Sequence, residues 1–295
     1  MIEKLEYLLA LAQERHFGRA AIACGIPQPT FSAGIKQLEE SFGMQLVERG
    51  SRFRGFTEAG ERVLEWSRRI VGDARAMRQD VASLRHALSG RLRIAAIPTS
   101  MPLLTRLTVP FAARHPDVAI SIVSRTSDEI LTLLENLEVD AGITYLDHDK
   151  LRRVTAVPLF RERFRLVCAA SDPLAGRASV AWTDLVGVRL CLLTPDMQNR
   201  RIIDEALAAA GVEARVALAS DSMLTLLAHL RTGQWASILP DQWLEIIGLG
   251  SGLRAIPRVS PELVNTVGLV VPNREPMGAL AAALIAQAEL LDRES

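Results

Sequence analysis

Residues 28–36 hold the first side chains in this chain whose types and spacing suit a chemical task. Gln28, Thr30 and Ser32 are short hydrogen-bonding groups, Pro29 stands between the first two, and Lys36 follows one helical turn after Ser32. A second group, Arg49, Arg52 and Arg54, lies in segment 49–56 with no acid among them. A Gln carboxamide donates and accepts at once, which matches the edge of an adenine. Hydroxyls reach bases or phosphates, while Lys and Arg meet phosphates. This is the chemistry of recognition rather than of bond-making.

Bond-making motifs are missing. The chain contains no His-Glu-x-x-His, no Gly-x-Ser-x-Gly, no phosphate-loop Gly-Lys-Ser/Thr and no Cys-x-x-Cys. The glycines of GLGSG (248–252) do not fit the dinucleotide spacing and follow no clear strand. His115 reads as a helix-end residue and His229 as packed or solvated within a helix. Cys24, Cys168 and Cys191 lie far apart, the latter two in apolar strand-like runs, and read as buried reduced thiols. No catalytic residue, cofactor or metal is expected. Lys plus Arg number 34 and Asp plus Glu 34, so a nucleic-acid partner must be met by a local basic patch.

The elements that position these groups follow from apolar spacing. Leu5, Leu8, Leu9 and Ala12 share one face of a first helix. Residues 16–38 read as a helix-turn-helix: Ala20, Ala21 and Cys24 on one helix, a turn at Gly25, then Phe31, Ile35, Leu38 and Phe42 on a second. The N-terminal end of such a second helix faces base edges in the major groove, where Gln28, Pro29, Thr30 and Ser32 stand. Gly50 and Gly55 bracket a short hairpin, a wing whose arginines sit on phosphates or in the minor groove.

Thr57, with Glu58 and Glu61 behind it, starts a helix expected to run to about Leu88. Ala59, Val63 and Trp66 are expected to pack back on the head. Ile70, Ala74, Met77, Val81, Leu84 and Leu88 form a heptad seam that has no partner in its own head and so implies a second chain.

From Arg91 strands alternate with helices: RLRIAAI, VAISIVS, DAGITY, LVCAA, VRLCLL, ARVALAS, WASILP and NTVGLVVP, with a helix such as SMPLLTRLTVPFAARH (Ser100 as its cap) between. That is a doubly wound α/β pattern in two lobes with a cleft between them. Ligands bind outside the carboxyl ends of such strands. Thr99, Ser100 and Met101 stand at one strand end, Ser127, Thr144 and Thr194 at others. Helix N-termini attract anions, so a small anionic effector is expected there.

The chain resembles the LysR-type transcriptional regulators over its whole length, most closely at 1–70. The resemblance rests on Ala20-Ala21, the Gln28-Pro29 step, Ser32, KQLEESFGMQLVERG and FTEAGERVL, and on GQWASILP at 233–240. It implies a winged helix-turn-helix at 1–58, a dimerising linker helix at 59–89 and an effector-binding domain at 90–295. That domain would be two doubly wound α/β lobes, about 90–163 with 267–295 and about 164–266, built like a periplasmic binding protein. It also implies double-stranded promoter DNA and a small molecule as partners, and a dimer or tetramer. Three positions depart from the pattern: Pro27 where Ser caps the recognition helix, Ala33 where Arg or Lys faces DNA, and His16 where a small cap is common. The N-terminus lacks a signal-peptide cleavage site, and no apolar run reaches the roughly 20 residues that span a bilayer. A cytoplasmic protein is expected. A solute-binding protein would explain only residues 91–295, and an α/β enzyme lacks its motifs.

Overall fold

The computed structural model describes residues 1–48, 53–83, 88–147, 151, 154–257 and 259–294. The chain separates into two compact units, Met1–Leu88 with Glu135–Glu138, and Ser89–Leu134 with Val139–Ser295.

In the first unit, α1 (Ile2–Glu14), α2 (Phe17–Ala23) and α3 (Gln28–Phe42) bury the expected faces. Leu5, Leu8, Leu11, Ala20, Ala21, Phe31, Ile35 and Leu38 form the core. Phe31 is wholly buried, its ring 5.3 Å from that of Tyr7 and 6.1 Å from that of Phe17. Phe42 instead reaches solvent, because Gly43 turns the chain at φ 65° one residue later. His16 takes the role of the small cap: its Nδ1 accepts from the amides of Gly18 (3.1 Å) and Arg19 (3.3 Å). Pro27 caps α3 without a side-chain bond. Gly34, beside Ala33, lies against Tyr7 of α1; a Cβ there would lie 2.7 Å from the Tyr7 ring.

Val47 and Phe56 form an antiparallel bridge at the base of the wing, and Glu48 N donates to Gly55 O at 3.0 Å. Arg49 and Arg52 lie outside the described residues. Glu39 Oε1 accepts from the amides of Leu46 (2.8 Å) and Val47 (3.1 Å), tying α3 to the wing.

Helix α4 (Glu58–Ser83) starts as expected, with Thr57 Oγ1 accepting from Gly60 N at 3.0 Å. It buries Leu64, Ser67, Val71 and Ala74. Trp66, expected to pack inward, is 63% exposed, with Arg69 over its ring at 5.7 Å. Ile70, Met77 and Val81 are also exposed, while Ala74 of the same seam is buried. Leu84 lies outside the described residues.

The second unit runs β1 (Gly90–Ala96), a 3-10 segment Pro98–Leu104, α5 (Thr105–Arg114), β2 (Val118–Ser124), α6 (Ser127–Glu135), β3 (Ala141–Tyr145) and β4 (Val154–Ala169). There follow β5 (Val180–Ala181), β6 (Arg189–Leu193), α7 (Gln198–Ala209), β7 (Arg215–Ser220), α8 (Met223–Leu230), β8 (Ser237–Pro240) and α9 (Asp241–Ile247). The chain closes with β9 (Leu253–Ile256), β10 (Val259–Ser260), β11 (Val264–Pro272) and α10 (Ala279–Glu294). Parallel β2-β1-β3 continues into antiparallel β11 and β4, so the sheet is mixed. The 16-residue β4 passes from one lobe to the other, pairing first with β11, then with β8 and β9. In the second lobe β6 pairs in parallel with β7, and Leu190 bridges to Ala236. Trp182, Leu190, Ile203, Leu207 and Ile238 fill one side of that lobe, and Leu193, Leu226, Leu239 and Trp243 another.

Two local expectations change here. Residues 100–115 are not one helix: Pro98 and Pro102 tighten the start into a 3-10 segment, and α5 begins at Thr105. Ser100 is therefore no cap, and its hydroxyl donates to Ile97 O at 2.9 Å. Thr194 stands four residues before α7, whose cap is Met197.

Candidate nucleic-acid interface and inter-lobe cleft

Phe31, Ile35 and Leu38 pin one face of α3 into the core and so turn the opposite face outward. Gln28, Pro29, Thr30 and Lys36 are exposed there, and Ser32 is half-buried. Lys36 Nζ stands 3.7 Å from Glu40 Oε1, both side chains well exposed, a pair too loose and too wet to hold the lysine from a phosphate. Arg54 is exposed on the returning side of the wing. The described basic and hydrogen-bonding groups thus occupy the first turns of one helix and the wing, although the chain's net charge is zero.

In the second unit a cleft of about 670 Å³ opens between the lobes. Pro98, Met101, Arg125 and Glu129 line it from one side; Asp196, Met197, Asp221, Met223, Leu224, Trp243 and Ile247 line it from the other. Arg201 Nη2 of α7 donates to Asp128 Oδ2 of α6 at 3.2 Å, joining the two lobes.

Beneath the cleft lies a buried polar cluster. The Tyr145 hydroxyl donates to Glu162 Oε2. Asn199 Nδ2 donates to the Tyr145 oxygen at 3.4 Å. Thr99 reaches both the phenol and the carboxyl, yet its Oγ1 makes no well-formed hydrogen bond. Glu162 is fully buried and its second oxygen, Oε1, has no partner. Burial pushes its pKa up to about 7, against the hydrogen bond from Tyr145 and the nearby polar groups of Thr99 and Asn199, and Asp241 pushes in the same direction as burial. Burial, then the Glu162 charge, holds the Tyr145 phenol well above its usual range.

The expected effector residues divide. Met101 lines the cleft and Thr99 joins the cluster. Ser100 faces a small apolar pocket with Leu103, Leu107 and Phe160. Ser127, Thr144 and Thr194 each bury a hydroxyl without a hydrogen-bond partner. Alternation along β3 puts Thr144 on the face opposite Tyr145, the face where a Cβ at Gly142 would meet Ile130 and Leu134 of α6. The hydroxyls therefore split across the sheet.

The cleft lining carries charges of both signs. Helix α6 opens with its own carboxylates: Thr126 and Glu129 cap it reciprocally at 2.8 and 3.2 Å, and Asp128 pairs with Arg201. Glu129, Asp196 and Asp221 share the cleft lining with Arg125. Tyr145, Glu162 and Asn199 were not singled out by the sequence. The signal was present in Phe160, Glu162 and Phe164, which share one face of a strand and set a carboxylate between two rings.

A winged three-helix head, a long helix with an open apolar face, and a two-lobed α/β unit with a cleft define a DNA-binding regulator that carries its own sensor. Residues 2–61 match the bacterial regulatory helix-turn-helix protein, lysR family, and residues 85–291 the LysR substrate binding domain. The chain belongs to the LysR family. It is 30% identical over 280 residues to the hydrogen peroxide-inducible genes activator of Dickeya chrysanthemi, covering 94% of this chain and 90% of that one. The DNA-binding transcriptional dual regulator OxyR of Escherichia coli K12 is similar to the same degree, 30% over 280 residues with the same coverage. A full-length OxyR variant from Pseudomonas aeruginosa superposes with a TM-score of 0.77 at 26% identity, over 98% of this chain and 95% of that one. CbnR in complex with its target DNA shares the fold, with a TM-score of 0.71 at 21% identity over 99% of each chain. The chain is a DNA-binding transcriptional regulator with an effector-binding domain, not an enzyme. No described helix is long and apolar enough to cross a membrane.

Proposed function

We propose that this regulator reads promoter DNA with Gln28, Thr30 and Ser32 at the start of α3, with Pro29 shaping that first turn. Lys36 and Arg54, with Arg49 and Arg52, hold phosphates. Two chains join along the exposed apolar face of α4, and the cleft between the lobes takes a small effector in the cytoplasm. The observation that carries this reading is α3 itself: Phe31 is fully buried while Gln28, Thr30 and Lys36 around it are exposed. The effector acts by binding one lobe arrangement better than another.

The relatives named for hydrogen peroxide raise a second reading, thiol oxidation, and the cysteines speak against it. The thiolate is the reactive form. Burial pushes the Cys168 and Cys191 thiols up to about 11, and Cys24 is also raised. An effector held without covalent chemistry fits the cleft better.

Footprinting of the full chain on its own promoter region tests the DNA half. Protection that Gln28→Ala redistributes among related sites supports base reading. Equal loss on cognate and random DNA would remove Gln28 from that role.

A further inference from the structure

Among the described residues Glu162 has no positive partner of the kind a buried carboxylate needs. Tyr145 from β3, Thr99 from the 3-10 segment, Asn199 from α7 and Asp241 from α9 are the groups that act on it, and none is basic. Asp241 is itself 3.8 Å from Arg165 Nη2. The cluster lies next to the cleft on three elements: Thr99 stands between Pro98 and Met101, Asn199 two residues after Met197, and Asp241 two before Trp243, and these four neighbours all line the cleft. Helix α9 also packs on the 3-10 segment that carries Thr99. Glu162 Oε1 makes no hydrogen bond, and Thr99 Oγ1 also lacks a partner. Buried polar atoms left unpaired mark a place where a further group belongs.

The cleft above has two characters. Met101, Met197, Met223 and Trp243 offer a soft apolar wall suited to a ring or alkyl body. Asp196 and Asp221, both exposed, add negative charge at its mouth. We propose that the effector is an organic cation, its apolar body against the Met101–Trp243 wall and its ammonium head on the free oxygen of Glu162. This rests on the reading of the cleft as the effector site. Below about pH 7 the carboxyl of the empty site holds a proton. When the ammonium enters there, that proton leaves to solvent and a carboxylate–ammonium pair replaces the neutral acid, so the buried net charge stays zero; above pH 7 the carboxylate is already formed and the ammonium pairs with it directly. The head must enter where Asn199 of one lobe meets Tyr145 of the other, which links binding to the lobe arrangement.

The test uses the full chain with three matched probes, benzylamine, benzyl alcohol and benzoate, followed by calorimetry at pH 6 and pH 8. Benzylamine should bind, about tenfold more tightly at pH 8 than at pH 6, with close to one proton released at pH 6 and almost none at pH 8. Glu162→Gln should remove the pH dependence and weaken the amine while the folded chain keeps its circular dichroism spectrum, and Trp243→Ala should weaken it as well. Benzoate or benzyl alcohol binding in place of the amine, and lost in Trp243→Ala, overturns the cation and leaves the cleft reading standing. Amine binding untouched by both substitutions overturns the two together. No binding of any probe to the wild-type chain overturns the cation.

Discussion

Gly60 of α4 rests on the carbonyl of Leu46: a Cβ at position 60 would lie 2.0 Å from the Leu46 oxygen and 2.9 Å from its carbonyl carbon. The neighbour is backbone, so no rotamer change relieves the contact. Gly60→Ala should therefore push α4 away from the base of the wing. We expect a loss of about 2–3 kcal/mol, typical of overpacking against an unyielding neighbour, with weaker DNA binding. Gly34→Ala meets a side chain, the Tyr7 ring at 2.7 Å, which can move. It should cost less. Urea unfolding followed by tryptophan fluorescence and circular dichroism ranks the two, and the opposite order would mean that the wing base is soft.

The proposed DNA-reading face predicts two kinds of residue. If Lys36 and Arg54 hold phosphates as proposed, Lys36→Ala and Arg54→Ala should both weaken binding to all sequences alike. Each should also flatten the plot of log affinity against log salt by about one unit. Gln28→Ala should cost about 1–3 kcal/mol on one base pair and leave the salt slope unchanged. Titrations at several salt concentrations on single-base variants of the operator distinguish them.

The head was legible in the sequence because its period-3.6 apolar pattern coincides with its core. Phe31, Ile35 and Leu38 are buried where the spacing put them, and Thr57 caps α4 as its acids suggested. Trp66 was misplaced because a large aromatic at a plausible register says nothing about which of two apolar faces it joins. Helix α4 has two: Leu64, Val71 and Ala74 are buried, while Trp66, Ile70, Met77 and Val81 are exposed. The cleft was legible only in part. Strand ends pointed to Thr99, but the partner that gives Thr99 its meaning is Glu162, within the run Arg161-Glu162-Arg163. Such a run reads as solvated charge. The alternation with Phe160 and Phe164 is the one opposing signal, and the pairing of β4 with β11 and the hydroxyl of Tyr145, 17 positions back, show it to be buried.

The exposed face of α4 predicts self-association. Ile70, Met77 and Val81 are 40–60% exposed at helical spacing, an apolar stripe that a lone chain leaves in water. Met77→Glu puts a charge in its middle. Sedimentation should show the wild-type chain as a dimer or larger and the variant shifted toward monomer, with its DNA affinity lowered because two heads no longer bind together. A variant that keeps the wild-type mass would move the interface off this face.

The thiols should be inert. With pKa values about 11, Cys168 and Cys191 should react with iodoacetamide at pH 7 on the order of a hundredfold more slowly in the folded chain than in urea. Treatment with equimolar hydrogen peroxide should leave DNA binding unchanged. Mass spectrometry that finds rapid oxidation of either cysteine in the folded chain would restore the thiol reading.

Glu162 makes stability depend on pH in a direction opposite to that of an ordinary paired carboxylate. Its folded pKa, about 7, lies above its unfolded value of 4.5, so between these values the folded chain binds more protons than the unfolded one. Stability from this residue is complete below the unfolded pKa and is lost as pH rises toward 7, at about 1.4 kcal/mol per unit. Above pH 7 the loss is complete and the contribution is flat. Glu162→Gln keeps a neutral hydrogen-bonding side chain at every pH and should remove this slope. Urea midpoints of both chains from pH 5 to 8 measure the difference: the wild type should fall relative to the variant up to about pH 7 and then run parallel to it. Parallel curves throughout would mean that Glu162 is ionised in the folded chain, and so holds a positive partner even without an effector.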